Sequence, residues 1–232
     1  MHVLTGTSGF AYKEWKGPFY PLDLKNDAML AYYAGRLASV EINNTFYRMP
    51  RESVVAAWAD QTPESFRFVL KASRLITHFG RLANVEEEVD YFLSVSNALG
   101  TRRGPTLFQL PPNMKADHDR LRAFVARLPR DWPAAFEFRH NSWFDEATCA
   151  ILREHGAALV IADTDDGCTP FEATGTWGYL RLRREAYADG DLSGWLARLR
   201  STGWERAYVF FKHEDAATGP LLAERFAAMA TG

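Results

Sequence analysis

The chain has 232 residues, 47% hydrophobic and 24% charged, with a formal net charge of −2. That composition suits a globular chain that buries a core, and at this length one α/β barrel is as natural as two smaller domains. The slightly acidic balance argues against a basic nucleic-acid binder or a polybasic membrane surface.

Short apolar strands alternate with helical stretches along the whole chain. The expected strands are 3–7, 40–44, 66–72, 106–110, 134–138, 158–162, 177–182 and 207–212. Helical spacing of apolar residues is expected over 28–38, 51–60, 85–99, 117–128, 145–155, 191–199 and 220–229. The 51–60 helix follows Pro50, which suits a helix start. Between the sixth and seventh strands, residues 163–176 are polar and glycine-containing, so that crossover is expected to be irregular. Eight strands alternating with helices predict an α/β fold, a single (β/α)8 TIM-like barrel over 1–232. A doubly wound sheet is the rival, but its glycine-rich phosphate loop is missing: the first strand ends in GTSGF, not GxGxxG.

Cys149 and Cys168 are too few for a disulfide framework and show no CxxC spacing, so two free thiols are expected. The first ten residues, MHVLTGTSGF, lack a secretory pattern, and no apolar run approaches the ~18 residues of a membrane span. A soluble cytoplasmic protein with no membrane partner is the expectation.

Barrel strands bury both faces, one against the outer helices and one inside the barrel. Sorting by parity separates Val40 and Ile42 from Glu41, Asn43 and Thr45. It separates Phe66, Phe68 and Leu70 from Arg67, Val69, Lys71 and Ser73. It further sets Phe108 and Leu110 apart from Leu107 and Gln109, and Phe136 and Phe138 apart from Glu137 and Arg139. Asp163 shares parity with Leu159 and Ile161, Arg181 and Arg183 with Trp177 and Tyr179, and Lys212 with Tyr208 and Phe210. Most polar members fall near the carboxyl ends of their strands, where barrel enzymes build their sites. The converging set is Glu41, Asn43, Lys71, Gln109, Glu137, Arg139, Asp163, Arg181 and Lys212. Such a set is either a site or an ion-pair plug. A plug would bear a desolvation cost of several kcal/mol per ion, which apolar side chains avoid.

The segments GTSGF and YKEWKGPFYP (within 6–21), EINNTFYRMP (41–50), FRFVLKAS with TH (66–78), LFQLPP (107–112), FEFRHNSW (136–143) and YVFFKH (208–213) resemble the motifs of the YecE-like family. That family is a domain of unknown function with a TIM-barrel-like fold. The resemblance spans nearly the whole chain in order and implies one barrel domain. It supplies no reaction. Some positions depart from the family pattern. Phe10 stands where the family usually has Trp. Asp163-Thr164-Asp165 replaces Asp-Ser-Pro. Arg183-Arg184 replaces the His-Gly of the seventh motif, and Lys212-His213 replaces two asparagines. The rim around strands six to eight is therefore expected to differ from that of relatives.

The excess of basic groups, with His78, His140 and His213 near, points to a pocket for an anion. Arg139 and Arg181 each suit a bidentate grip on phosphate or carboxylate. Lys71 suits a point-charge contact, a nucleophile if burial lowers its pKa, or a salt bridge to Glu41 or Glu137. Glu41, Glu137 and Asp163 are the acid–base candidates. One raised and one ordinary carboxylate is the glycosidase pattern, and Glu137 and Asp163 lie on consecutive strands. Asn43 and Gln109 would orient a substrate. His140 and Trp143 are expected on the rim, with Trp143 either stacking on a ring or capping the mouth. No cofactor is expected, because interleaved Lys and Arg would repel a metal cation. The aromatic loops 12–20 and 44–48 suit a lid, a substrate wall, a self-packed cap or a single-strand nucleic-acid platform. The expected function is an enzyme acting on a small anionic or polyol, sugar-phosphate-like substrate by acid–base or hydrolytic chemistry. The alternative is a non-catalytic binding module for nucleic acid or another anionic ligand.

Overall fold

The eight apolar runs become strands in the computed structural model, which describes residues 1–212 and 215–232, and a short ninth strand joins them. They are β1 (His2–Ser8), β2 (Ser39–Ile42), β3 (Arg67–Lys71), β4 (Arg103–Gln109), β5 (Ala134–Glu137), β6 (Ala158–Thr164), β7 (Gly167–Cys168), β8 (Trp177–Leu182) and β9 (Arg206–Phe211). All but β7 pair in parallel, in the order β5-β4-β3-β2-β1-β9-β8-β6, and β5 pairs with β6 to close the ring. Registers such as Gly6↔Ser39, Leu4↔Tyr208, Gln109↔Glu137 and Phe136↔Leu159 fix which carboxyl ends meet at one mouth. The expected eight-stranded TIM-like barrel is what forms.

Among the described residues eight α-helices accompany it: α1 (Met29–Ala34), α2 (Asn44–Tyr47), α3 (Glu52–Asp60), α4 (Glu86–Ser96), α5 (His118–Arg127), α6 (Glu146–Glu154), α7 (Asp189–Arg200) and α8 (Thr218–Thr231). Side-chain caps start two of them. Asp117 accepts from the Arg120 amide at 3.0 Å and Asp145 from the Thr148 amide at 2.8 Å, satisfying donors that a helix N-terminus leaves open. Among the described residues no helix is long and apolar enough to cross a membrane.

Two local expectations change. The second strand ends at Ile42, because Asn43 turns the chain into α2. Thr45 therefore leaves the inner barrel face, and its hydroxyl donates to the Ile42 and Lys71 carbonyls at 3.0 and 2.6 Å. The irregular crossover after β6 does lack a helix, and it folds back as β7, with Asp163 opposite Cys168 and Thr164 opposite Gly167. Two residues carry no periodicity, so sequence pattern gives no sign of this pair.

The two strand faces separate as parity requires. Val40, Phe68, Leu70, Phe108, Phe136, Leu159 and Ile161 belong to the large outer core beneath the helices. Leu4, Val69, Leu107, Ala135, Val160, Tyr179, Tyr208 and Phe210 fill the barrel. This dual burial explains the nearly continuous apolar character of the strands. Above the inner apolar layer, toward the carboxyl ends, the same parity continues as polar residues.

Candidate functional site

Glu41, Glu137 and Arg181 project inward from β2, β5 and β8, and each is almost fully buried. Arg181 bridges the two carboxylates. Its Nη2 donates to Glu41 Oε1 at 2.7 Å and its Nη1 to Glu137 Oε2 at 2.5 Å. Ser8 Oγ donates to Glu41 Oε1 at 2.8 Å, Tyr179 Oη to Glu41 Oε2 at 2.6 Å, and Asn43 Nδ2 to Glu41 Oε1 at 3.2 Å. Gln109 Nε2 donates to Glu137 Oε1 at 2.8 Å, and Arg139 Nε lies 3.5 Å from that oxygen. Two buried negative charges beside one buried guanidinium thus gather several further donors, which is what makes ion burial tolerable.

These partners set the ionisation. Burial pushes the Glu41 carboxyl up, but Arg181 and the Tyr179 and Ser8 hydrogen bonds outweigh it and hold the group below its ordinary value. For Glu137 burial is again the largest single influence, and Arg181, then Arg139 and Arg183, overturn it and bring the carboxyl from 4.5 to about 2. Neither glutamate is a raised, protonated acid. The pattern of one raised and one ordinary carboxylate is not formed by this pair, because one guanidinium serves both.

The depression of Glu137 carries a stability consequence. The unfolded carboxyl takes its proton near 4.5 and the folded one near 2, so the unfolded state binds protons first as pH falls. The contribution is complete above the unfolded value and is lost as pH drops through the folded value. At ~1.4 kcal/mol per pH unit it is on the order of 3 kcal/mol. Urea unfolding across pH is expected to show Glu137→Gln less stable by about 1–3 kcal/mol at neutral pH, with a flattened acid limb. An acid limb as steep as that of the unsubstituted protein contradicts this assignment.

Lys71, at the end of β3, bonds elsewhere among the described residues. Its Nζ donates to Gln109 Oε1 at 2.8 Å and sits 4.2 Å over the Phe46 ring. The expected salt bridge to Glu41 or Glu137 is not made, because Arg181 occupies the near carboxylate oxygens and Gln109 stands between Lys71 and Glu137. Burial, then the Arg181 charge, lowers the ammonium to about 8 despite the opposing pull of Glu41 and Glu137.

A cavity of about 260 Å³ opens above these groups. Its wall includes Lys71, Arg139, Arg181, Arg183 and Lys212, with Asn43, Gln109, Ser8, Tyr12 and Tyr47. Five cationic side chains face this space and the two carboxylates lie largely behind it, which leaves an excess of positive charge. Among the described residues no group of three or more His, Cys, Asp and Glu is placed to hold a metal.

Seven expected residues, Glu41, Asn43, Lys71, Gln109, Glu137, Arg139 and Arg181, meet here, and Lys212 joins them at the wall. Three do not. Asp163 shares the outward parity of Leu159 and Ile161, and it accepts from Arg184 Nε at 3.0 Å and Tyr187 Oη at 2.9 Å. Its carboxyl therefore does not pair with that of Glu137. His140 caps the short turn at Asn141–Trp143, with its Nδ1 3.2 Å from the Ser142 amide. Trp143 is buried and stacks on Phe138 with centroids 4.6 Å apart, and its Nε1 donates to the Met114 carbonyl at 2.8 Å. It packs the outer layer and neither stacks at the rim nor caps the mouth. Trp143→Ala is expected to cost about 3–5 kcal/mol in urea unfolding. Ligand-induced stabilisation of the folded variant is expected to persist, and its loss would return Trp143 to the site. His213 lies outside the described residues. His78 is not among the residues lining the cavity: its Nδ1 lies 2.9 Å from Thr77 Oγ1, its ring packs against Phe46, and burial, then Lys71, lowers its pKa.

Sequence reading left Ser8, Tyr12, Tyr179 and Arg183 out of the converging set, although parity already grouped Tyr179 and Arg183 with Arg181 and Tyr12 belongs to the aromatic loop 12–20. For Ser8 too a signal existed, the parity of Leu4 and Gly6. The aromatic loop 12–20 is mostly self-packed, with Trp15, Phe19 and Tyr20 buried. Both cysteines are free.

Known proteins share this architecture. The family described as "Protein of unknown function DUF72" matches residues 4–232. The UPF0759 protein YecE of Escherichia coli (strain K12) is 30% identical over 141 residues, 58% of this chain and 52% of that protein, so the chain spans about half the length of this relative. The UPF0759 protein YunF of Bacillus subtilis (strain 168) is 28% identical over 211 residues, 84% of this chain and 74% of that protein. The crystal structure of a DUF72 family protein from Thermotoga maritima MSB8 superposes with a TM-score of 0.85 at 28% identity, covering 100% of both chains. One from Enterococcus faecalis V583 gives 0.77 at 21% identity over 98% of both chains, a likeness of fold alone. The polar barrel mouth and the motifs that build it therefore sit in a chain that belongs to the DUF72, YecE-like family of proteins of unknown function.

Proposed function

We propose that this protein is an enzyme that takes a small anionic, sugar-phosphate-like substrate into the barrel mouth and moves protons on it through Lys71. The observation that carries this reading is the cationic wall of the 260 Å³ cavity. Arg139 and Arg183 suit the fork geometry of a phosphate or carboxylate, and Lys212 adds a point charge. Glu41 and Glu137, committed to Arg181, serve as its anchors and set the field, and do not act as general acids. Lys71, lowered to about 8, exchanges its proton near neutral pH, as acid–base catalysis requires.

Two readouts test this. Differential scanning with inorganic phosphate, sugar phosphates and small carboxylates is expected to raise the melting temperature, and the shift is expected to shrink in Lys71→Met. Reductive methylation with labelled formaldehyde, followed by NMR, is expected to show one dimethyl-lysine resonance, absent from Lys71→Met, titrating near 8. A Lys71 midpoint near the ordinary 10.5 removes its proton-transfer role.

One observation favours the binding-module alternative. Tyr47 and Phe79 are 66% and 68% exposed, and the Arg74 guanidinium lies 5.9 and 5.4 Å from their rings. Such a rim suits unstacked bases. A gel shift with single-stranded oligonucleotides at low salt that weakens in Tyr47→Ala supports it, and no shift removes it.

A further inference from the structure

The mouth cavity does not end at its own wall. A groove of about 780 Å³ adjoins it and shares Arg139 and Arg183 with it, while Glu137 lines only the groove. The groove exists because of the crossover between β6 and β8. A helix there would cover the outer side of the barrel, whereas the chain folds back as β7 and leaves a trough between that turn and the loop after β5. The remaining lining differs in chemistry from the cationic mouth. Pro112, Phe138, Phe144, Ala162 and Pro170 supply flat or apolar surface, and Asn141 and Asp166 supply polar edges. Phe138 is held from behind by its stack on Trp143, so that wall is fixed. Arg183 and Thr164, which stand where this sequence departs from the YecE-like pattern, both line the groove.

We infer that this groove is a second subsite, which receives the planar, ring-bearing body of a substrate whose anionic group lies in the mouth. The inference rests on the anion reading above. Arg139 and Arg183 lie at the junction, so one guanidinium layer reaches a phosphate from either side. The mouth takes only a small group, whereas the trough has the volume of a typical small-molecule site. Its apolar faces suit a ring and its polar residues, among them Asn141, Thr164, Asp166 and Thr169, suit groups on the ring edge. An inorganic anion uses the mouth alone, and a monoester with an aromatic or heteroaromatic body uses both spaces.

Isothermal titration at low ionic strength separates the outcomes. Inorganic phosphate, phenyl phosphate and adenosine 5′-monophosphate are the probes. The two monoesters are expected to bind at least about tenfold tighter than inorganic phosphate. Ala162→Trp, which fills the trough, and Phe144→Ala, which removes one face, are each expected to reduce that advantage while inorganic phosphate binds as before. The second variant decides the matter if the first misfolds. Equal affinities for all three probes overturn the subsite and leave the anion reading standing. An advantage unchanged in Phe144→Ala and Ala162→Trp places the ring elsewhere and also overturns it. Failure of every probe to bind removes the anion reading itself.

Discussion

Arg181→Met is expected to be the most destabilising single substitution at the barrel mouth. It leaves Glu41 and Glu137 buried without the guanidinium that neutralises them. Breaking a buried pair from one side costs about 3–5 kcal/mol, a large part of the total stability of a typical domain. The pH dependence should also invert. In the unsubstituted protein the carboxyls are depressed, and stability falls as they are forced to protonate in acid. Without Arg181 burial dominates, their folded values rise above the unfolded ones, and stability increases as pH falls from neutrality toward 5. Adding Glu41→Gln and Glu137→Gln to Arg181→Met is expected to recover much of the loss, since a neutral cluster carries no uncompensated ion. Urea unfolding at several pH values measures all of this. An Arg181→Met protein of undiminished stability, with the original acid limb, contradicts the claim that one guanidinium holds both carboxylates.

The second large effect concerns binding. Arg139 and Arg183 both face the mouth cavity, and the Arg139 side chain is 41% exposed. A charge-assisted hydrogen bond contributes about 1.5–3 kcal/mol, so losing one strong contact weakens phosphate binding by about tenfold to a hundredfold. The double substitution Arg139→Met, Arg183→Met is expected to exceed that range and to flatten the salt dependence of what remains. Lys13→Met, an exposed lysine in the first aromatic loop, is the control and should leave affinity unchanged. Calorimetry checks both. Equal losses in the control and the double variant would mean that net charge, not the mouth, attracts the anion.

Much of this geometry was legible in the residues. Alternation placed Phe136 and Phe138 outside and Glu137 and Arg139 inside, and applied to β2, β3, β4, β8 and β9 it assembled most of the mouth. The rule works because a strand buried on both faces still has a strict period of two. It went wrong where position near a strand end was allowed to override parity. Asp163 sits late in β6 but alternates with Ala162 and Thr164, the residues that do face inward. Trp143 lies in a turn after β5, where no period says which way a ring points. Its place was fixed by a stacking partner, Phe138, and by the Met114 carbonyl, which belongs to a distant loop. The ionisation of Lys71 was open for a similar reason. It depends first on how deeply the ammonium is buried, and then on Arg181, from the far side of the ring, holding both carboxylates.

The most direct test of an anion site at the barrel mouth is the titration of inorganic phosphate into the unsubstituted protein at low ionic strength, repeated across pH 6.5 to 9.5, a window spanning the Lys71 value of about 8. Saturable binding is predicted, weakening as pH rises through that value because the cavity then loses one positive charge. Absence of saturable binding at every pH, in a protein that unfolds cooperatively, would contradict the account.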